Sequence, residues 1–411
     1  MPPEPMEILD TDSVPASPAL RRLATELAHE QPRALERFWR RAEQHGTPLL
    51  EHDERGRLLA TFLWRALPEA GEVRLLWPSR DVNTRRFDHL PRSDVHYLSL
   101  RVPSGLRASY RIASGLPPLD DVERGVLRQT VRDAAHADPL NRHTDRQVPL
   151  EGHSLVELPG APPQPWLRPR DGVPSGRVES VVFESRRLGN RRTLALYTPP
   201  GFTAEHPGYP LLLVFDGQAY QEQVPTPVIL DNLIAEGRIP PLVAVLVDNV
   251  DRDSRAVELP CNPDVGDMLG EELLPWLMHR LPLSDDPGQR ILAGSSYGGL
   301  AAACYTYQAP QRFGMALVQS GSFWWGPDGQ PQWLLERFRE SPRLPIRFYM
   351  DAGLLEGASP DILGSSRQLA AILHEKGYQV AYREFVGGHD YAMWRGTLAD
   401  GLQVLLGPES R

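Results

Sequence analysis

Hydrophobic and polar positions change their spacing along the chain, and the changes predict two differently built halves. Residues 18–45 carry apolar side chains at helical spacing, with Ser17 placed as an N-cap and Gly46 as a stop, which predicts a helix. Short alternating runs follow at 57–67, 72–77, 95–102 and 106–112. In the first, Leu59, Thr61, Leu63 and Arg65 alternate with Ala60, Phe62, Trp64 and Ala66. Runs of this length, separated by turn signals, predict a small β-sandwich over about 45–150 behind the N-terminal helix.

Residues 157–176 are dense in proline and glycine and can sustain neither a helix nor a central strand. They are the expected boundary between a first domain at 1–165 and a second at 173–411. Past it, 177–185 and 191–199 predict an antiparallel strand pair. Continuous apolar runs then alternate with helical ones. Strands are expected at 210–217, 242–249, 290–296, 313–322, 344–353 and 378–388, with helices at 224–237, 268–281, 297–310 and 361–377. A strand apolar on both faces belongs inside a parallel sheet, and strand–helix alternation implies helices on both of its sides.

Composition narrows the class. The chain has 411 residues, 41% of them hydrophobic and 24% charged, which is globular. Its net charge of −9 argues against a nucleic-acid partner, which needs a basic face. The basic residues are almost all arginine, Lys376 being the one lysine. No apolar run approaches the ~18 residues of a membrane span. The N-terminal stretch lacks the basic and apolar regions of a secretory signal. Two cysteines, Cys261 and Cys304, make no disulfide framework, so a reducing cytoplasm is expected.

Candidate chemistry gathers in the second half. Residues 294–298 read Gly-Ser-Ser-Tyr-Gly, between an expected strand and an expected helix. That is the setting of a nucleophile elbow, a turn too tight for bulky neighbours, and it makes Ser296 the nucleophile. The acid and then the histidine should follow in chain order. Of the two later histidines, His374 lies inside a helical pattern, while His389 follows the last strand and two glycines, so His389 is the expected base. Asp351, Glu356 and Asp361 compete as the acid. Asp351 is still in the strand and Asp361 reads as a helix N-cap, so Glu356 on the loop is favoured, with Asp361 left open. The backbone N–H of Tyr297, with that of Gly217 or Gln218, is expected to hold an oxyanion. Trp324, Trp325 and Trp394 read either as core or as an aromatic platform. No His/Cys cluster has metal-ligand spacing, and no cofactor is expected.

The stretches 188–199, 211–220, 254–264, 294–302, 320–325 and 386–395, with 61–65, 108–112, 138–141 and 155–162 in the first half, resemble the enterochelin esterase family. The resemblance implies an α/β-hydrolase catalytic domain preceded by a small immunoglobulin-like β-sandwich. It implies hydrolysis of a catecholate tri-ester siderophore, usually ferric, by Ser296, His389 and Glu356; from charge and apolar runs, neither a nucleic acid nor a membrane is expected as partner. It also places Arg255 near the substrate, with Arg395 as a second candidate; a salt bridge of Arg255 with Glu258 is the plainer reading. A general carboxylesterase or acyltransferase of the esterase D type remains the alternative activity.

Overall fold

The computed structural model describes residues 6–9, 15–78, 84–119, 122–142, 150, 152–358 and 360–408. The N-terminal stretch read above for a leader lies mostly outside them. Contacts divide the chain into two units, 1–162 with 386–392, and 163–385 with 393–411.

In the smaller unit the expected N-terminal helix is two helices, α1 (Pro18–Ala28) and α2 (Ala34–His45). Ser17 caps α1, accepting from the Leu20 N–H, and Gly46 ends α2 at φ +83°. The break between them holds Pro32, flanked by Glu30 and Arg33 at positive φ, where a continuous helix is impossible. The strands are β1 (Glu7–Ile8), β2 (Leu49–His52), β3 (Leu58–Arg65), β4 (Glu72–Leu76), β5 (Asp88–His89), β6 (Val95–Arg101), β7 (Arg107–Leu116), β8 (Ala135–His136) and β9 (Ser154–Glu157). A helix that the pattern did not announce, α3 (Arg124–Ala134), packs on β7 and β4. One sheet runs β1-β6-β3-β2 with β5 beside β6; the other runs β4-β7-β8 with β9 beside β7.

The alternation in β3 serves two buried faces instead of one buried and one wet. Leu63 packs with Leu20, Leu23 and Trp39 of the helices. Phe62 meets Trp77, just past β4, and Tyr110 of β7 edge-on, at ring-centre distances of 5.6 and 4.8 Å.

The larger unit is an eight-stranded sheet in the order β10-β11-β13-β12-β14-β15-β16-β17. Its strands are β10 (Arg177–Ser185), β11 (Asn190–Thr198), β12 (Leu211–Phe215), β13 (Val243–Val247), β14 (Arg290–Ser295), β15 (Met315–Gln319), β16 (Arg347–Gly353) and β17 (Gln379–Phe385). The first two form the expected antiparallel pair, β11 also runs antiparallel to β13, and the pairings from β13 through β12 to β17 are parallel. Every residue of β12, β13, β14 and β15 is buried, as their unbroken apolar runs require.

The helices are α4 (Ala219–Glu222), α5 (Thr226–Ala235), α6 (Arg252–Glu258), α7 (Pro263–Asp267), α8 (Leu274–Arg280), α9 (Tyr297–Gln308), α10 (Trp333–Glu340), α11 (Ile362–Glu375) and α12 (Tyr391–Leu406). The helix expected over 268–281 begins as a π-helical segment, Met268–Leu273, before α8. Asp361 caps α11, its side chain accepting from the Gly364 N–H at 2.7 Å, and His374 lies within that helix. Among the described residues no helix is long and apolar enough to cross a membrane.

Cys261 and Cys304 are joined in a disulfide with a Cα–Cα distance of 5.7 Å. The pairing removes the ground on which the two cysteines point to a reducing cytoplasm. Forty-three positions apart in sequence, the two are brought together because the loop after α6 lies against α9.

Candidate active site

Ser296 stands where β14 passes into α9, at φ +59° and ψ −121°, a conformation that strains any side-chain-bearing residue. The surroundings hold it there. Its N–H donates to the Gln319 carbonyl at 3.0 Å, and its own carbonyl accepts from Leu300 and Ser322, both at 3.0 Å. A Cβ on Gly294 would come within 2.7 Å of the Gly298 backbone, so the first glycine of the motif is a steric necessity. The turn leaves the serine at the N-terminus of a twelve-residue helix, whose dipole favours negative charge. Ser322 Oγ lies 3.5 Å from Ser296 Oγ. The sequence reading missed Ser322, although it stands two residues before the tryptophan pair.

Glu356 sits on the loop after β16, 6% exposed. Its Oε2 accepts from the Gly353 N–H and, at 2.8 Å, from the Ser320 hydroxyl. Asp361 is taken up in its capping role. Asp351 is fully buried beside this loop, and burial pushes its carboxyl up to about 8, with the Glu356 charge acting in the same direction. His389 groups with the smaller unit, in the segment 386–392 that follows β17 in the chain. Its backbone N–H donates to the Pro78 carbonyl at 3.1 Å, and the next residue, Asp390, accepts from Ser109 and from the Ala392 N–H.

The expected oxyanion donors part company. Tyr297 opens α9, where a backbone N–H has no partner inside the helix. The Gly217 N–H is given to the Val247 carbonyl at 2.9 Å, which removes Gly217 from the candidates. Its lack of a side chain serves packing instead, because a Cβ there would lie 2.6 Å from Asp248. Gln218 stays a candidate; Asp248 beside it has its pKa raised, burial being the largest cause and the Gln218 backbone N–H acting in the opposite direction.

Arg255 is placed by α6, which a reciprocal Asp251–Ser254 capping box starts. Its Nε and Nη2 donate to the two oxygens of Asp216, at 2.5 and 2.7 Å. Asn249 donates to the same carboxylate at 2.6 Å. Asp216 has φ +58°, so the clamp fixes a left-handed residue at the start of the β12–α4 turn. The guanidinium also lies 5.9 Å from the centre of the Tyr297 ring. The salt bridge weighed between Arg255 and Glu258 does not form. Glu258 is buried and pairs with Arg192 at 3.0 Å.

Trp324 is half-buried with its ring 6.1 Å from that of Tyr297, and Trp325 is half-buried against the core. Two further expectations are corrected. Trp394 is a core residue, 3% exposed, whose Nε1 donates to Ser320 at 3.0 Å, not a surface platform. Arg395 is 2% exposed and donates to Gln164 at 3.1 Å, so it is not an open anion receptor. Among the described residues no three His, Cys, Asp or Glu side chains gather as metal ligands would.

A mixed, mostly parallel sheet with a strained serine between a central strand and its helix, and a carboxyl on the loop two strands away, defines an α/β-hydrolase. Residues 185–405 match the family described as "Putative esterase", and 59–167 match "Enterochelin esterase, N-terminal". The chain is 33% identical over 412 residues to an iron(III) enterobactin esterase of Dickeya dadantii, covering 90% of this chain and 93% of the relative. It is 29% identical to an iron(III) salmochelin esterase of Escherichia coli, covering 95% and 98%. Among solved structures, the enterobactin esterase FES from Shigella flexneri, crystallised in the presence of enterobactin, superposes with a TM-score of 0.74 at 30% identity, over 90% of this chain and 97% of that one. The ferric enterobactin esterase of Salmonella typhimurium gives a TM-score of 0.75 at 30% identity, covering 90% and 98%. The chain belongs to the enterochelin esterase family and is an ester hydrolase.

Proposed function

We propose that this protein hydrolyses the ester bonds of a catecholate tri-ester siderophore of the enterobactin and salmochelin kind, ferric or iron-free, through an acyl-serine. The observation that carries the reading is the nucleophile elbow at Ser296, standing in an esterase-matching half that follows a half matching the enterochelin esterase N-terminal family.

In this reading His389 takes the Ser296 proton as the hydroxyl attacks the ester carbonyl, and returns it to the leaving serine hydroxyl of the substrate. Glu356 holds the imidazole in the required tautomer and stabilises its charged form. The Tyr297 N–H is the first oxyanion donor. The Gln218 N–H, on the turn after β12, is assigned as the second. Water then repeats the attack and frees the enzyme. Chain order Ser–Glu–His and the place of His389 on the loop after the last strand support these roles. Opening the ring weakens the hold on iron, because chelation depends on three catechols kept at high effective concentration.

The ferric form of the substrate is an anion and the chain carries −9, so a local positive group must receive it. This reading assigns the post to Arg255, whose guanidinium is held by Asp216 and faces the Tyr297 ring at 5.9 Å, with Trp324 and Trp325 as the aromatic wall. Neither a nucleic acid nor a membrane is assigned as partner.

The test is Ser296→Ala. A fluorophosphonate is expected to label the wild type and not the variant. Mass analysis of products from ferric and iron-free tri-ester should show linear trimer, dimer and monomer with the wild type alone. Residual catalysis should not exceed ~10³–10⁴-fold over water. Equal labelling of both proteins would overturn the assignment of the nucleophile.

A further inference from the structure

We propose that Ser320 is a positioning residue for the triad acid, fixing the carboxylate of Glu356 through a hydroxyl whose direction Trp394 sets. The proposal rests on the reading of Glu356 as that acid.

Ser320 is the first residue after β15, fully buried, and held at φ +47°. Serine in this left-handed region needs a reason, since glycine takes it without strain. The side chain supplies one. A hydroxyl has a single proton to give and two lone pairs to accept with. An indole N–H can only donate, so Trp394 Nε1, at 3.0 Å, must be giving its proton to Ser320 Oγ. The serine proton is then committed to Glu356 Oε2 at 2.8 Å. The order is forced: indole N–H to hydroxyl, hydroxyl to carboxylate. The Gly353 N–H reaches the same oxygen. Two donors on one oxygen fix the carboxyl plane, and bonds to an ionised acceptor are the stronger kind.

The support beneath is also tied down. Gln319, next to Ser320, donates to the Trp394 carbonyl at 2.8 Å and to the Thr397 hydroxyl at 2.6 Å, and accepts from Tyr220 at 2.6 Å. These bonds hold the Trp394 main chain, and with it the first turns of α12, against the end of β15. The backbone N–H of Ser320 meanwhile donates to the Asp351 carbonyl at 3.0 Å. One residue thus steadies the strand end that precedes the acid loop and the acid itself.

The experiment is a double-mutant cycle on the full chain, with a small aryl ester as substrate and thermal unfolding as the check of folding. Ser320→Ala is expected to lower kcat roughly tenfold to a hundredfold, in the range typical of outer-shell partners, with KM within about twofold. Glu356→Gln should lower kcat about 10⁴-fold. In the Glu356→Gln background Ser320→Ala should cost less than about threefold, because the carboxylate it serves is gone. Trp394→Phe, which keeps an aromatic ring and deletes the N–H, should give a smaller loss that also vanishes in that background. It carries the cycle if Ser320→Ala does not fold. An equal factor in both backgrounds, or a kcat within threefold of wild type, would overturn the proposal and leave Ser320 a core hydroxyl. If Glu356→Gln itself keeps turnover within tenfold, the acid assignment falls, and the role of Ser320 falls with it.

Discussion

At the scale of single residues, two buried carboxyls lie close together near the nucleophile strand, and they do different things. Glu356 is met by donors on one oxygen. Asp351 is fully buried, and burial drives its pKa from 3.8 up to about 8. Glu356 and Asp400 add to that rise, while the Thr397 hydroxyl and the Ser320 N–H oppose it; Tyr349 stands alongside. The folded chain then keeps a proton on Asp351 that the unfolded chain has already lost above pH 4. Stability falls as pH rises from about 4 to about 8 and levels off beyond. Asp351→Asn removes that slope. The melting temperature of the wild type should drop relative to the variant between pH 5 and pH 8, by roughly 5 °C. Parallel curves over that range would mean that Asp351 is ionised in the fold. Nothing in the sequence separates these two acids by chemistry. Position alone did so, because Asp351 closes a strand and Glu356 lies beyond it.

At the scale of elements, the strands and helices around Ser296 were legible because their signals are local. Apolar runs, glycines and caps stand where the turns fall, and Ser17, Gly46 and Asp361 do what their residue types suggest. The side of a helix that faces inward is set by packing, which periodicity in a mostly apolar stretch does not report. That is why Trp394 and Arg395 read as site walls and are buried. Pairing across the fold is equally silent in sequence, as Arg255 with Asp216 and Cys261 with Cys304 show. The cysteine pair ties the loop after α6 to the helix that starts beyond the nucleophile. Closing a loop of that separation contributes about 4 kcal/mol by chain entropy. Protein kept oxidised should therefore melt several degrees above protein kept with a thiol reductant, and Cys304→Ala should abolish the difference. Identical melting in the two conditions would mean that the thiols do not pair in solution.

At the scale of the whole molecule, the chain does not visit its two units once each. It builds the smaller one through Pro162, builds most of the larger, returns for Val386–Ala392, and finishes in the larger with α12. The returning segment is held by named bonds: Arg107 to the Val386 carbonyl, His389 to Pro78, and Ser109 to Asp390. A protease that nicks the proline-rich stretch just after Pro162 therefore leaves a C-terminal fragment that still carries a piece of the other unit. The two fragments should elute as one species in native buffer and separate only in denaturant; two native peaks would show that these bonds do not hold the nicked protein. The same property makes the protein a natural candidate for a split reporter. Each half expressed alone lacks something the other supplies, and esterase activity would return when the halves find one another.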